Sequence, residues 1–296
     1  LASMSTETSG IDRVGVEMNG DARIAELYEQ DGFVFPFDVL AAHEAQAIRA
    51  DLEAAEAELA DDTERFALLR SYPDRLLPSF DALIRHPVLL DAVRPILGPD
   101  LLVWSSALFI KEADTSHIVS WHQDLTYWGL DDVEKVTAWV ALSPATLESG
   151  CMRFVPGSHK KQAVPHLDTF DDNNLLSRGQ EIAVEVDENE SVDVVLQTGQ
   201  ASLHHGHLFH ASGPNTSGDR RIAAAIRYIK PSMKQRGGER LLVAQVSGED
   251  NFGHFDIAGA PKERLSDPDF VLCAKDSATK QSVLYEGATT DKRQRY

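Results

Sequence analysis

Cysteine is nearly absent from this chain, which has two among its 296 residues, Cys151 and Cys273. Two cysteines cannot form the disulfide framework of a small secreted domain, so we expect a reducing, cytoplasmic setting. No apolar run approaches the roughly 20 residues of a membrane span. The N-terminus also lacks the basic and apolar regions of a signal peptide. These absences favour a water-soluble protein.

Positive charge is scarce as well. Lysine and arginine number 28 against 47 acidic residues, which gives a net charge of −19. Nucleic acid and anionic membrane surfaces would be repelled, so neither is expected as a partner. An anionic substrate would need local cations to overcome the same field. We expect a small-molecule substrate; the oligomeric state stays open.

The first third of the chain has helical periodicity, with apolar residues repeating on one face. The pattern predicts helices from Asp21 to Gly32, from about Ala41 to Leu59, and from about Phe80 to Leu97, the last interrupted near His86-Pro87. Phe33, Phe35 and Phe37 alternate with other residues and predict a short strand.

The character of the sequence changes after Gly98-Pro99, where short β-favouring runs recur between turn signals. Such spacing suggests a sandwich or barrel. The runs are Leu101–Ile110, Val136–Leu142, Met152–Val155, Glu181–Val186, Val192–Leu196, Ala201–His205 and Ile222–Ile229.

We therefore expect one domain over residues 21–296. Its parts would be a helical region at about 21–98, a β core at about 100–230, and a C-terminal extension at 231–296 that packs outside the barrel. Residues 1–20 are polar and predict a disordered tail, in which Leu1-Ala2-Ser3 ahead of Met4 is typical of a cloning remnant.

Histidine and aspartate stand two residues apart in His122-Gln123-Asp124. On a strand, residues i and i+2 point to the same side, so both side chains can reach one metal ion. Two imidazoles and one carboxylate are the ligand set of non-haem Fe(II) oxygenases, and they leave positions open for a co-substrate and O₂. A lone pair of this kind also occurs by chance, so a third ligand is required from elsewhere.

A histidine-rich segment, residues 204–215, can supply that ligand. Four histidines compete for the role: His204, His205, His207 and His210. The first three are also compatible with ordinary strand positions or with partners that orient a ligand. We select His210 because a Ser-Gly-Pro-Asn turn follows it, and a residue at a strand end beside a turn can project into a barrel mouth.

Arg221 lies shortly after this segment. It could be a surface cation, but the apolar stretch Ile222–Ile226 that follows is typical of a buried strand. A guanidinium at the start of a buried strand needs a planar anionic partner. We therefore expect Arg221 to bind the distal carboxylate of a 2-oxo acid.

Three separate segments resemble the phytanoyl-CoA dioxygenase family, and the resemblance runs from about residue 22 to residue 230. The segments are Trp121-His122-Gln123-Asp124, then residues 138–142 with 148–160, and finally His210-x-Ser212-Gly213-x-Asn215 with Arg221.

The resemblance implies a mainly β fold with flanking helices: a double-stranded β-helix, or cupin-like jelly roll, with the N-terminal helices packed on the major sheet. It implies Fe(II) bound by His122, Asp124 and His210, with 2-oxoglutarate chelating the metal and reaching Arg221. Other residues implied near the co-substrate are Ser212, which helps hold the same carboxylate, Trp139, which lines the pocket, and Lys111.

Family halogenases have a small residue in place of the aspartate, so Asp124 favours oxygen insertion over halogenation. The expected reaction is hydroxylation of an unactivated C–H bond with consumption of O₂ and release of succinate and CO₂. Family members act on acyl-CoA thioesters, ectoine, amino acids, aminophosphonates and other metabolites. The basic residues near Lys230 are too few for the phosphates of coenzyme A, so we favour a small metabolite.

Four residues are candidates for substrate contact. Tyr127 and Trp128 follow the HxD segment and could wall the substrate, although ordinary loop packing fits them equally. Arg153 and Arg227 lie on predicted strands. They could bind an anionic substrate if both face the interior; surface ion pairs are the alternative.

Two other functions use the same ligands. A non-enzymatic jelly-roll protein that binds metal or a small ligand needs the triad without Arg221. A zinc hydrolase accepts the same two histidines and carboxylate and needs neither O₂ nor Arg221.

Overall fold

The computed structural model describes residues 21–176 and 179–284. The expected tail at residues 1–20 and the last part of the expected extension, residues 285–296, lie outside the described residues. The described helices are α1 (Asp21–Asp31), α2 (Ala42–Glu58), α3 (Thr63–Ser71), α4 (Pro73–Leu76), α5 (Pro78–Ile84), α6 (Pro87–Leu97) and α7 (Asp267–Leu284).

Two sheets form the β core. The major sheet has the strand order β1-β9-β4-β11-β2-β12-β13, and the minor sheet has the order β3-β10-β5-β8, while β6 and β7 pair separately. The strands are β1 (Phe33–Asp38), β2 (Leu101–Lys111), β3 (Val119–His122), β4 (Lys135–Ala141), β5 (Met152–Phe154), β6 (His166–Asp168), β7 (Gln180–Ile182), β8 (Val192–Val194), β9 (Gln200–His205), β10 (His210–Ser212), β11 (Arg221–Ile229), β12 (Leu242–Ser247) and β13 (Asp256–Ile257).

The two faces of the major sheet have different partners because side chains alternate along a strand. On β11, Ile222, Ala224, Ile226 and Tyr228 share one apolar cluster with residues of helices α1 to α6. Ala223 and Ala225 point the other way and share a second cluster with Phe154 of the minor sheet, so this face is the inner one. The predicted jelly roll with helices on its major sheet is confirmed.

Local sequence signals set several element ends. Helix α1 stops where Gly32 takes φ +84°, a conformation that L-residues with a side chain rarely adopt. A Cβ on Gly32 would also collide with the ring of His159. The predicted interruption at His86-Pro87 is confirmed, since α5 ends at Ile84 and α6 begins at Pro87.

The sequence-based boundary of the β core near residue 230 is wrong. Strand β12 pairs antiparallel with β2 inside the major sheet, with Ala244 opposite Val103. The segment 63–76, for which no element was predicted, forms α3 and α4. The signal for β12 is the β-favouring run Leu241–Val246, which lies inside the expected extension. None of the helices in the described ranges is both long and apolar enough to cross a membrane.

Helix α7 is attached to the sheet through a largely buried acid, Asp276. Its Oδ1 accepts a hydrogen bond of 2.7 Å from the backbone N–H of Leu242 in β12. Its Oδ2 accepts one of 2.9 Å from the Tyr72 hydroxyl and lies 2.9 Å from Lys280 Nζ. Three donors therefore converge on one carboxylate and join α7 to both β12 and the helical layer.

We expect Asp276→Asn to lower the free energy of unfolding by about 2 kcal/mol, because the charge-assisted hydrogen bonds to the buried carboxylate weaken and the half-buried Lys280 ammonium loses its counter-charge. Denaturant unfolding measures the change. Asp267→Asn on the same helix is the matched control: Asp267 pairs with Arg65 at the surface, its side chain 78% exposed. The control should lose less than about 1 kcal/mol. Equal losses in the two variants would contradict this role of Asp276.

Candidate metal centre and co-substrate pocket

Three predicted ligands converge between the sheets. His122 ends β3 and lies opposite His210, the first residue of β10, in the antiparallel register. Asp124 Oδ1 is 3.6 Å from His122 Nε2 and 3.7 Å from His210 Nε2. One ligand atom from each residue lies within 4.8 Å of the other two. The three side chains therefore surround one point.

The HxD segment differs from the expected strand in one respect. The strand stops at His122, and Asp124 has helical backbone angles (φ −66°, ψ −49°) and precedes a 3₁₀ turn at Leu125–Tyr127. Gln123 holds the turn: its buried Nε2 donates to the carbonyl oxygens of Gln162 (2.6 Å) and His207 (2.7 Å). The turn brings Asp124 to the same point that an extended strand would reach.

The two histidines have their metal-binding nitrogens available. His122 Nδ1 is 2.9 Å from the carbonyl oxygen of Ser120, and His210 Nδ1 is 2.9 Å from that of Leu208. A carbonyl oxygen only accepts, so each Nδ1 carries the proton and each Nε2 presents a lone pair to the centre. Burial, with the neighbouring His122, lowers the pKa of His210 well below its usual value, which keeps this ring neutral.

Asp124 uses its two oxygens differently. Oδ1 faces His122 and His210, whereas Oδ2 lies 2.9 Å from Lys135 Nζ and accepts a hydrogen bond of 3.2 Å from the Thr137 hydroxyl. Burial alone would raise the pKa of Asp124, but the Lys135 ammonium and the His122 and His204 rings hold it well below its ordinary value. The carboxylate is thus ionised and directs one oxygen toward the metal position.

Lys135 is the main site residue that sequence reasoning missed. Its side chain is fully buried, donates 2.7 Å to Thr137 Oγ1, and lies 4.0 Å from the centre of the Trp128 ring. Burial lowers the pKa of Lys135 to about 8 despite the opposing charge of Asp124. No motif marks Lys135, because it approaches Asp124 from the other sheet.

Among the other histidines of the rich segment, His204 comes closest to the triad. His204 Nε2 lies 3.7 Å from Asp124 Oδ2, on the side away from the metal position. The rings of His205 and His207 lie beside each other in a tilted arrangement, with their centres 5.6 Å apart. Within residues 21–176 and 179–284, the group of His122, Asp124 and His210 is the one set of three donors close enough to share an ion.

The donor set fits Fe(II). Two neutral imidazoles and one carboxylate oxygen cover one side of the central point, as in the two-histidine, one-carboxylate triad of non-haem iron enzymes. The fit rests on the free Nε2 lone pairs and on the ionised Asp124 oxygen.

Arg221 lies at the far end of the same cavity and is 1% exposed. Its Nη1 donates 2.6 Å to the carbonyl oxygen of Gly150, and its guanidinium lies 5.2 Å from the Trp139 ring centre. Its Nε is buried with no hydrogen-bond partner, and no carboxylate of the described residues lies within 4 Å of the guanidinium. Burial lowers the pKa of Arg221 to about 10.

Lys111 and Ser212 are the other polar side chains at the Arg221 end of the cavity. Lys111 lies opposite Arg221 in the register of β2 and β11, is fully buried, and donates 2.7 Å to Ser212 Oγ. It also donates to the carbonyl oxygen of Gly213. Burial, together with the charge of Arg221, lowers the pKa of Lys111 to about 6. A buried guanidinium, a buried lysine whose lowered pKa leaves it largely neutral at pH 7 until an anion binds, and one hydroxyl therefore meet where a carboxylate would be stabilised.

A cavity of about 410 Å³ joins the two ends. Its wall includes His122, Asp124 and His210 at one end and Ser212 and Arg221 at the other. The remaining lining residues are Phe109, Val119, Thr137, Trp139, Met152, His204, Ala211, Ala225 and Arg227.

The candidate substrate residues have different locations. Arg227 lines the cavity. Trp128 stacks on Trp104 with ring centres 5.0 Å apart, and its ring faces both Lys135 and Arg227. The side chain of Tyr127 lies outside the described part of the structure.

The side chain of Arg153 forms surface ion pairs, the alternative to an interior position that the sequence left open. Its guanidinium pairs with Glu188 at 2.7 Å and lies 3.6 Å from Asp193, on the outer face of the minor sheet. The reason is strand alternation, since the apolar neighbours Met152 and Phe154 occupy the inner face.

Comparison with known proteins gives one matching family. The family model described as phytanoyl-CoA dioxygenase matches residues 28–223. A probable alpha-ketoglutarate-dependent hypophosphite dioxygenase from Stutzerimonas stutzeri is 28% identical over 158 residues, 53% of this chain, and the chain spans only 54% of that relative's length. Ectoine dioxygenase from Halomonas elongata is 29% identical over 242 residues, 72% of each chain.

Two solved structures have a fold similar to that of this chain. The apo form of the non-haem monooxygenase ThoJ is 35% identical, with a TM-score of 0.81 over 89% of this chain and 98% of that one. A complex of the protein CytC3 with Fe(II) and alpha-ketoglutarate has a TM-score of 0.64 over 83% of this chain and 95% of the other; at 21% identity it supports the fold alone.

We expect His210→Ala to weaken binding of Mn(II), a redox-stable probe of the site, by more than about a hundredfold. Loss of a residue that merely orients a ligand already costs about 10–100-fold. Calorimetric titration of the purified protein measures the affinity. His207→Ala is the matched control and should bind Mn(II) like the wild type; the reverse order would identify His207 as the ligand.

For Lys135→Met we expect two opposite effects. The metal-free protein should lose about 3 kcal/mol of unfolding free energy, because Asp124 stays buried without its cation. Mn(II) should bind at least about tenfold more tightly, because two unit charges a few ångströms apart repel by roughly 4 kcal/mol at an effective dielectric constant of 20.

Unfolding with and without Mn(II), together with calorimetry, separates these effects. Lys230→Met is the control, since Lys230 forms a partly exposed pair with Glu134 and neither residue lines the cavity. Unchanged or weaker Mn(II) binding in Lys135→Met would show that holding Asp124 in place outweighs charge repulsion.

Proposed function

Because the chain belongs to the phytanoyl-CoA dioxygenase family of Fe(II)- and 2-oxoglutarate-dependent oxygenases, we propose that it hydroxylates a C–H bond of a small metabolite. In this proposal, His122, Asp124 and His210 bind Fe(II), and 2-oxoglutarate extends from the metal to Arg221. The reaction consumes O₂ and converts 2-oxoglutarate to succinate and CO₂.

The observation that carries this proposal is the buried charge at the end of the cavity. Arg221 and Lys111 lie there without a carboxylate of the described residues near the guanidinium. A buried cation without a counter-ion is strongly destabilising, so the site favours a ligand that supplies one. The second carboxylate of 2-oxoglutarate meets this requirement when its other end is at the metal.

Each group at this end has a definite part in the proposal. Arg221 offers its Nε and its fork of N–H donors to the distal carboxylate. Ser212 Oγ, already the acceptor from Lys111, donates its own proton to the same group. Trp139 forms the adjacent apolar wall and excludes water from the chain of the co-substrate.

At the metal end, the protein supplies orientation. When bound, Fe(II) would supply the oxidising chemistry that requires O₂. Lys135 and Thr137 fix the Asp124 carboxylate with one oxygen toward the metal. His122 and His210 keep their Nε2 lone pairs directed to the same point through their backbone hydrogen bonds. Three donors on one side leave the cavity side open for co-substrate and substrate.

The presence of Asp124 favours hydroxylation over halogenation, because the carboxylate occupies the position that a halide would need. The names of the relatives support small substrates: one is named for hypophosphite and another for ectoine.

A metal- or ligand-binding protein without enzymatic activity and a zinc hydrolase remain rivals that use the same triad. Neither needs a buried guanidinium with an open carboxylate position. The location of Arg221, in the same cavity as the triad, therefore supports the oxygenase.

The test is anaerobic addition of Fe(II) and 2-oxoglutarate, followed by O₂ and a screen of small metabolites for stimulated succinate release. We expect a visible charge-transfer band from the chelate in the wild type. Arg221→Met should raise the 2-oxoglutarate concentration for half-maximal band intensity by roughly a hundredfold, since truncating one partner of a buried charge pair costs about 2–5 kcal/mol.

Arg220→Met is the matched control. Arg220 is adjacent in sequence but pairs with Glu56 and Glu112 on the helical side. Its band should form at the wild-type 2-oxoglutarate concentration. A wild type that forms no band, or an Arg221→Met variant with unchanged co-substrate affinity, would contradict the proposal and favour one of the rivals.

A further inference from the structure

The inner face of β11 has a cation at each end and small residues between them. Arg221, Ala223, Ala225 and Arg227 alternate with residues that face the helices, so all four point toward the minor sheet. Arg221, Ala225 and Arg227 line the cavity. The small side chains of the two alanines leave space between the guanidinium groups. The co-substrate proposed above requires only Arg221.

Arg227 is held in a defined position. It is 9% exposed, and its Nη1 donates 3.3 Å to the hydroxyl of Ser105, its neighbour in the register of β2 and β11. Its guanidinium lies 4.9 Å from the Trp128 ring centre and 5.8 Å from that of Phe109. Two aromatic faces and a hydroxyl therefore orient a planar donor group at the cavity wall.

The charges of the cavity wall are unequal. Its lining contains one carboxylate, Asp124, and two guanidinium groups, Arg221 and Arg227. The Asp124 charge is already shared with Lys135 at 2.9 Å. Arg227 and Lys135 both lie over the Trp128 ring, at 4.9 Å and 4.0 Å from its centre, which places the second guanidinium toward the metal end.

We propose that Arg227, with Ser105 beside it, binds an oxyanion of the substrate, a carboxylate or a phosphonate. This proposal rests on the function proposed above and names its substrate class as a small organic acid. The guanidinium fork matches the paired oxygens of such a group. A locally positive wall also provides the attraction that a protein of net charge −19 needs for an acidic substrate.

A series of contacts joins Arg227, the proposed anion site, to the metal end of the cavity. Trp128 contacts both the Arg227 guanidinium and the Lys135 ammonium, and Lys135 contacts Asp124. The Trp128 ring thus lies between the Arg227 guanidinium and Lys135, the lysine that contacts Asp124. We therefore expect the oxidised C–H bond to lie near the acidic group of the substrate.

The experiment uses the wild-type protein loaded with Zn(II), which accepts the same ligands without redox chemistry, and saturated with 2-oxoglutarate to occupy the Arg221 end. Ligand-observed NMR then measures the affinity for matched acid and neutral probes. The pairs are butanoate with butanamide, phenylacetate with phenylacetamide, and methylphosphonate with its dimethyl ester. The carboxylate and phosphonate pairs distinguish the two oxyanion types.

In the wild type, we expect the acid of at least one pair to bind about tenfold or more tightly than its neutral partner. In Arg227→Met, the acid should lose that advantage while the neutral probe binds as before. Arg227→Lys should retain part of the preference, because a point charge remains without the planar fork. Arg153→Met changes net charge equally on the outer face and should keep the wild-type preference.

The inference is overturned if no acid of the panel binds, if neutral probes bind as well as acids, or if Arg227→Met keeps the acid preference. Its failure is separable from that of the proposed function. If 2-oxoglutarate does not bind the metal-loaded wild type, the oxygenase proposal fails. If 2-oxoglutarate binds and the acid preference is absent, the substrate class alone is wrong.

Discussion

The site depends on one constraint: the two oxygens of the Asp124 carboxylate have different partners. A buried carboxylate is stable only when its charge is compensated. Here Lys135 and Thr137 compensate it from the major sheet through Oδ2, which frees Oδ1 for the point shared with His122 and His210 on the minor sheet. The centre therefore exists only when the two sheets face each other, and folding and assembly of the site are the same event.

The same principle extends along the inner face of the major sheet. Basic side chains project from it at three levels: Lys111 with Arg221, then Arg227 opposite Thr137, then Lys135 opposite Ile229. Each is buried or nearly so, and each lies next to the cavity or to a residue of the triad. The proposed substrate class follows from this surface, because an anionic ligand would offset its positive charge. Apolar side chains pack on both faces of the sheet: the helices cover the outer face, and Ala223, Ala225 and Trp139 share a cluster with Phe154 on the inner face.

The sequence was informative wherever the signal was local. Helices α1, α2 and α6 and most core strands followed from periodicity, and the positions of His122, Asp124, His210 and Arg221 followed from spacing and motif. The role of Lys135 could not be predicted, because it arises from a contact between the two sheets that no local pattern records. Strand β12 had a local signal, the β-favouring run Leu241–Val246, inside the expected extension. Arg153 had a readable signal: both of its strand neighbours are large and apolar, which assigns them, and not the arginine, to the interior.

One contact joins the periphery of the molecule to the cavity wall. Lys280 of helix α7 lies 5.4 Å from the Trp104 ring centre, and Trp104 stacks on Trp128. A shift of this terminal helix would move two stacked rings and, with them, the wall that faces Arg227. The histidine ligands belong to the opposite sheet and would not follow. Sequence drift in α7 can therefore alter which molecules are accepted while iron chemistry stays constant, so selectivity and reactivity can evolve separately.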